Sequence, residues 1–228
     1  MNSTGARPAN RQALDNGLGG FPMKYYDLIA PVYDGATEAF YRRARHILAE
    51  TMDYGPADRI LIPACGTGQV LPHIYWRAGR EVEVVCVDYS EAMLRRARER
   101  ARRSGATRTR FVRADLRRVD AAFLARHAVP GPYDKILYEL ALSVIPGWRQ
   151  VFDRSLEWLV PGGRVGVMDW YVPRPRWLGK LIDWMARSDT SRDIPGDVRK
   201  RLAEVEVPAR LAGGYLWLIS GRVIREEL

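Results

Sequence analysis

The sequence predicts an α/β fold with a mostly parallel sheet and helices on both faces, and two stretches carry that prediction. The first is Arg59-Ile-Leu-Ile-Pro-Ala-Cys-Gly-Thr-Gly68. Its apolar run reads as a buried parallel strand, breaks at Gly66-Thr67-Gly68, and resumes with helical spacing at Val70, Leu71, Ile74 and Tyr75. The second is the apolar run from Val82 to Val87, which ends in Asp88 twenty residues after Gly68. Strand, glycine turn and helix start let a ligand approach backbone N–H groups at a helix N-terminus. An acid at the tip of the next strand accepts both hydroxyls of a ribose.

Composition bounds the function. The 228 residues suit one domain with a full core, and a hydrophobic fraction of 47% is ordinary for a globular chain. No run approaches the roughly eighteen apolar residues of a membrane span. Residues 1–20 are rich in Asn, Gly, Ala and Arg without an apolar stretch, so they read as a flexible tail rather than a signal peptide. Residues 21–228 are expected to form a single domain. Cys65 and Cys86 sit near the ends of core strands as buried thiols, which fits a reducing cytoplasm. His46, His73 and His127 are scattered, and no metal is expected. A net charge of +9 with a pI near 9.8 calls for an anionic partner. Much of it is arginine on one stretch (Arg95, Arg96, Arg98, Arg100, Arg102, Arg103), which by itself reads as a solvated helix face.

The elements follow in order. Thr37 to Met52 reads as an amphipathic helix with Phe40, Ala44, Ile47 and Leu48 inward and Tyr41, Arg42, Arg43 and Arg45 on a basic outer face. Gly55-Pro56 stops it before the first strand. Ser90 is a natural N-cap for a helix over Glu91–Arg103, and Ser104-Gly105 ends it. Arg110–Asp115 is the third strand and Tyr133–Leu142 the fourth. Trp148 to Val160 is a helix stopped by Pro161-Gly162-Gly163, and Arg164–Tyr171 is the fifth strand. Arg174 to Arg187 is a basic amphipathic segment with Trp177, Leu181, Trp184 and Met185 on one side. Residues 209–223, around Gly213-Gly214, form an antiparallel hairpin. A dinucleotide dehydrogenase would need a third glycine where Leu71 stands, which argues against that class.

Ala64-Cys-Gly-Thr-Gly68 together with Val87-Asp-Tyr-Ser-Glu-Ala-Met-Leu94 resembles the first two motifs of class I S-adenosylmethionine-dependent methyltransferases, and the resemblance runs from about Tyr25 onward. It implies a Rossmann-like, seven-stranded, mostly parallel sheet closed by the C-terminal hairpin. It also implies S-adenosylmethionine as cofactor, bound by Ala64, Gly66, Thr67, Gly68, Asp88, Tyr89, Met93, Asp115 and Leu116. Asp115 has a second reading, as a strand-end cap of the next turn. The opening Tyr26-Asp27…Ala30-Pro31…Tyr33-Asp34 resembles that of the quinone-methylating enzymes, where this segment folds over the cofactor. Residues 21–54 are thus expected as a helical lid, with Tyr25 near the reacting centre and Tyr33 on the cofactor; the alternative is that these aromatics staple an N-terminal helix to the core. The family's common first motif carries an acid where this chain has Ile62, which leaves the methionine end of the cofactor without its usual partner.

Ligands of open α/β sheets sit beyond the carboxyl ends of the strands, so Tyr138 and Glu139 at the end of the fourth strand join Tyr25 as catalytic candidates. Methyl transfer from a sulfonium is mainly a matter of positioning and water exclusion. An amine acceptor needs no dedicated base, and its methylated form rests on aromatic faces. Tyr41, Trp148, Trp170 and Tyr215 are candidates for those faces. Arg42, Arg174, Arg176 and Lys180 are candidates for a lipid phosphate. With the segment Tyr138–Pro146, the chain is similar to bacterial phospholipid N-methyltransferases of the quinone-methylase-like type. That resemblance implies methylation of phosphatidylethanolamine toward phosphatidylcholine, at the inner face of the membrane, by a peripherally bound cytoplasmic enzyme. Competing readings are a soluble small-molecule or quinone methyltransferase, a betaine-lipid head-group methylase and, least favoured, a cofactor-binding protein without catalysis. No nucleic-acid partner is expected, because the clustered aromatics carry no RNA-binding signature.

Overall fold

A seven-stranded sheet in the order β3-β2-β1-β4-β5-β7-β6 forms the centre of the computed structural model. The structure describes residues 23–127, 130–173 and 177–223, with side chains in the first helix described from Glu38 onward. The strands are β1 (Arg59–Pro63), β2 (Glu83–Asp88), β3 (Thr109–Arg113), β4 (Tyr133–Glu139), β5 (Leu159–Trp170), β6 (Ala203–Leu211) and β7 (Leu216–Arg222). β1 to β5 run parallel, and β7 is antiparallel to both β5 and β6. The order reverses between β1 and β4, which makes their carboxyl ends the topological switch point where such sheets bind ligands.

The helices are α1 (Met23–Met52), α2 (Leu71–Ala78), α3 (Glu91–Arg103), α4 (Ala121–His127), α5 (Trp148–Leu156), α6 (Trp177–Ala186) and α7 (Ile194–Arg199). They cover the sheet on two sides. Ile60, Ile62, Leu137 and Met168 face α1, α2 and α3, whereas Leu61, Ile136, Tyr138 and Val165 face Leu124 of α4, Phe152 of α5 and Ile194 of α7. The period-2 alternation of strand side chains produces this split. Both sides being buried, the central strands read as continuous apolar runs.

Three local expectations change. α1 is one continuous helix through Pro31 rather than a helix beginning at Thr37. Its inward side is Tyr41, Ala44, Arg45, Leu48, Ala49 and Met52, while Phe40 is 54% exposed. Arg45 and Tyr41 therefore lie inside, not on a basic outer face. Pro161-Gly162-Gly163 does not precede a strand but lies within β5, where Gly162 takes φ +71° and the register against β4 shifts. A bulge absorbs the turn residues without ending the strand. Elsewhere the local signals hold. The Ser90 hydroxyl accepts the Met93 N–H at 3.2 Å and caps α3, as its position before Glu91 predicts.

Candidate active site

The glycine loop is held by its neighbours in the chain. The Cys65 N–H donates to the Val87 carbonyl and the Gly68 N–H to the Cys65 carbonyl, each at 3.0 Å. Gly66 takes φ +54°, and a Cβ there would meet nothing within 4 Å, so the backbone faces open space. Gly68 is different: a Cβ would lie 2.8 Å from Leu71 and 3.0 Å from Ala97, which shows how closely the loop rests on α2 and α3. The Asp88 carboxylate links the two turns, accepting the Gly66 N–H at 2.8 Å and the Ser90 N–H at 2.9 Å. Ala64 at the end of β1 and Leu140 just beyond β4 both have positive φ, +52° and +51°. Left-handed backbone at two non-glycine residues, one on each side of the switch point, is strain of the kind that surrounding structure holds at functional sites.

Between these two turns lies a buried polar cluster. Arg45 of α1 is 1% exposed, and its Nε donates to Glu139 Oε1 at 2.6 Å. One terminal nitrogen, Nη2, donates to the Gln69 side-chain oxygen. The other, Nη1, is buried and finds no partner among the described residues. Strand alternation puts Glu139 here: it shares the α1 side with Leu137, while Tyr138 points away. Above Arg45, the Tyr41 ring lies 5.5 Å from the guanidinium, and the Trp170 indole N–H donates to the Tyr41 hydroxyl at 2.9 Å. Burial raises the Tyr41 phenol to about 12 against that hydrogen bond, so it stays protonated. His73 at the start of α2 is pushed down to about 4 by burial and by the nearby Arg45, His46 and Arg42, so its imidazole is neutral at neutral pH.

Residues 60–163 match the family model described as a methyltransferase domain. The chain is 28% identical over 159 residues to the ubiquinone/menaquinone biosynthesis C-methyltransferase UbiE of Azotobacter vinelandii, covering 69% of this chain and 59% of that protein. It is 24% identical over 163 residues to the 2-phytyl-1,4-naphtoquinone methyltransferase of Thermosynechococcus vestitus, covering 70% and 68%. Its fold is similar to that of an O-methyltransferase family protein from Burkholderia thailandensis, with a TM-score of 0.66, 19% identity, and coverage of 86% and 60%. The chain thus spans about half to three-fifths of the length of the ubiquinone/menaquinone C-methyltransferases it matches. The matched residues and the fold are those of a methyltransferase domain. Its methyl donor is S-adenosylmethionine.

The residues of the methyltransferase domain fit that donor. Gly66 leaves room for close approach to backbone, and the Asp88 carboxylate is oriented at the tip of β2 by the Gly66 and Ser90 N–H groups. Ala64, Gly66, Thr67, Gly68, Asp88 and Tyr89 line the β1 and β2 turns, and Met93 is buried in the first turn of α3. Asp115 caps the turn Leu116–Arg118 through the Arg117 N–H at 3.0 Å and is ion-paired with the Arg117 side chain at 2.7 Å. Although burial opposes it, these bonds hold the Asp115 carboxyl below its ordinary range. The capping reading of Asp115 is therefore present in the structure, and an adenine would share the carboxylate with Arg117. Leu116 is buried beside it.

Several candidates are corrected. Tyr138 is fully buried with its ring 5.7 Å from Phe152, on the side of the sheet opposite Glu139, so it touches no reacting group. Trp148 is likewise buried in the core beneath α5, because α5 turns its first residue inward. Tyr41 and Trp170 are bound to each other rather than forming an open aromatic cage. Tyr215 is half-buried at the edge of the α1-side core, and Arg42 and Lys180 are exposed on α1 and α6. Tyr25 and Tyr33 lie on α1 with side chains outside the described residues, as do Arg174 and Arg176 entirely. Sequence reasoning passed over Arg45 and Gln69. The spacing 41, 44, 45, 48, 49 and 52 is a helical stripe in which Arg45 is the single charge, and that signal was available.

Proposed function

We propose that the protein methylates a lipophilic, quinone-type acceptor taken from a membrane surface, using S-adenosylmethionine. The observation that carries this is α6, which follows β5 at the carboxyl end of the sheet. Its Ile182 is buried in the same core as Trp170, while Trp177 is 75% exposed, Trp184 73% and Leu181 41%. Phe40, also exposed, stacks on Trp170 at 6.2 Å. Exposed tryptophans on an amphipathic helix suit a lipid interface. The exposed Lys180 adds about 1 kcal/mol near an anionic surface, and the charge of +9 acts in the same direction. No described helix is long and apolar enough to cross a membrane, so the engagement proposed is peripheral. The quinone ring as acceptor is supported by the names of the two relatives above, both quinone methyltransferases.

When bound, S-adenosylmethionine supplies an electrophilic methyl on a sulfonium. The chain's own part is to bind and orient, with Asp88 at the ribose and Gly66 giving backbone access, and to keep water from the acceptor beneath Phe40 and Trp170. A second reading is N-methylation of phosphatidylethanolamine. It is favoured by the state of the site's ionisable groups: Glu139 is tied to Arg45, and burial weakens His73 as a base, whereas an amine needs only to be neutral at attack.

The test is transfer of radiolabelled methyl from S-adenosylmethionine in phosphatidylethanolamine–phosphatidylglycerol vesicles with and without demethylmenaquinol. Label in the quinol supports the first reading. Label in the phospholipid replaces it with the second. Label in neither, with the cofactor bound, overturns both acceptors and leaves the methyltransferase domain in place.

A further inference from the structure

We propose that Glu139 and Arg45 form a two-sided clamp for the amino-acid end of the cofactor, Glu139 receiving its ammonium and Arg45 its carboxylate. The inference rests on the cofactor assignment above and concerns which groups of this chain recognise the end remote from the ribose. That end is a zwitterion, and burying it beside the glycine loop requires a partner for each charge. β1 offers none: Ile62 is fully buried and apolar. β1 and β4 are parallel neighbours, with Leu61 opposite Ile136. Continuing that register sets Ile62 beside Leu137, which share the α1 side, and Glu139 follows two residues further along on the same side. The carboxylate is therefore one strand over and one side-chain repeat nearer the carboxyl end, level with Ala64.

The pair is incomplete as it stands. Glu139 Oε1 is bound by Arg45, but no described residue donates to its second oxygen, and its side chain is 13% exposed. Arg45 is 1% exposed, and its Nη1 meets no acceptor among the described residues. A buried charged donor without an acceptor loses its hydration without replacement and is destabilising. A pair serving only to join α1 to β4 has no need of that defect. A ligand carrying a positive and a negative group on one carbon removes it, because the two ion pairs align head to tail and the net charge of the pocket does not change. Positive φ at Ala64 and Leu140, on either side of Glu139, fits a backbone held for ligand contact. The Gln69 oxygen on Nη2 fixes the guanidinium plane, leaving one edge for a carboxylate.

The experiment is isothermal titration of the full chain with three probes. S-adenosylhomocysteine carries both charges, its decarboxylated analogue keeps only the ammonium, and 5′-methylthioadenosine lacks the amino-acid end. Glu139→Gln keeps an acceptor for Arg45 and loses the charge. It is expected to weaken S-adenosylhomocysteine about 10- to 100-fold, the effect of one charge-assisted bond, and to leave 5′-methylthioadenosine unchanged. Arg45→Lys retains the charge without the fork and is expected to weaken S-adenosylhomocysteine more than its decarboxylated analogue. Wild-type affinity for S-adenosylhomocysteine in Glu139→Gln overturns the clamp, as does an equal loss for 5′-methylthioadenosine, which marks a structural role. Failure of the wild-type chain to bind 5′-methylthioadenosine sinks the cofactor site instead, so the two failures are distinguishable.

Discussion

Two helices rich in arginine, α1 and α3, use the same side chain in opposite ways. On α3, Arg102 and Arg103 are three-quarters exposed and both bind Glu99, at 2.8 and 2.9 Å, within the helix. Arg98 does the same with Glu91. On α1, Arg45 has no carboxylate on its own helix to bind; its partner is Glu139, 94 residues away on β4. The α3 pairs sit in water and contribute little. The α1 pair is largely shielded from water, Arg45 wholly and Glu139 for the most part, so that removing one partner strands the other. Position relative to the sheet, not residue type, decides which arginine matters.

The sharpest way to break the comparison is Arg45→Ala. It leaves the Glu139 carboxylate in a low-dielectric pocket and is expected to destabilise the fold by about 3–5 kcal/mol, read as the urea midpoint. Arg102→Ala is expected to leave that midpoint in place, and a similar loss from both would show that burial does not separate the two arginines. Next in size, Asp88→Ala removes the acceptor of the Gly66 and Ser90 N–H groups and, with it, the proposed ribose contact. S-adenosylhomocysteine binding should then fall about a hundredfold or more; unchanged affinity would dismiss the ribose site.

Smaller effects sharpen the contrast. Tyr41→Phe leaves the buried Trp170 indole N–H without its acceptor, for a loss of about 1–3 kcal/mol. A melting temperature equal to that of the wild type would show that the hydroxyl is not holding α1 to β5. His73 gives the pH dependence of the α1 side. Its folded value of about 4 lies below the ordinary 6.5, so the folded state resists its protonation. The unfolded chain therefore binds more protons between those values. The resulting stability is fully present above pH 6.5 and is lost as pH falls toward 4. Replacing it by Gln should flatten the slope of stability across that window, and an unchanged slope would assign the titration elsewhere. On α3, the hydrogen bonds from Arg102 and Arg103 hold Glu99 at about 2. Its contribution is present above its ordinary 4.5 and fades as pH falls toward 2. Being exposed, it should also disappear in high salt, a test that the buried pair on α1 should pass unchanged.

The sequence determined by itself what neighbours in the chain decide. The glycine turn, Asp88 at the next strand tip and the Ser90 cap were legible because each is a bond between residues close in sequence or on adjacent parallel strands. The individual strands followed from the same apolar runs and the seven-stranded sheet from the family resemblance, while the order of the strands came only from the structure. Tertiary structure alone decided which faces those strands turn inward. One step of alternation separates Tyr138, lost in the core beside Phe152, from Glu139 in the site. The same holds for Trp148, whose aromatic ring reads as a ligand surface in sequence and is core in the fold. Arg45 is the clearest case. A lone charge in an apolar stripe is ambiguous until its partner is known, and that partner is supplied by a strand distant in the chain. Local bonds carry their own signal; a buried charge acquires its meaning only from what the fold places against it.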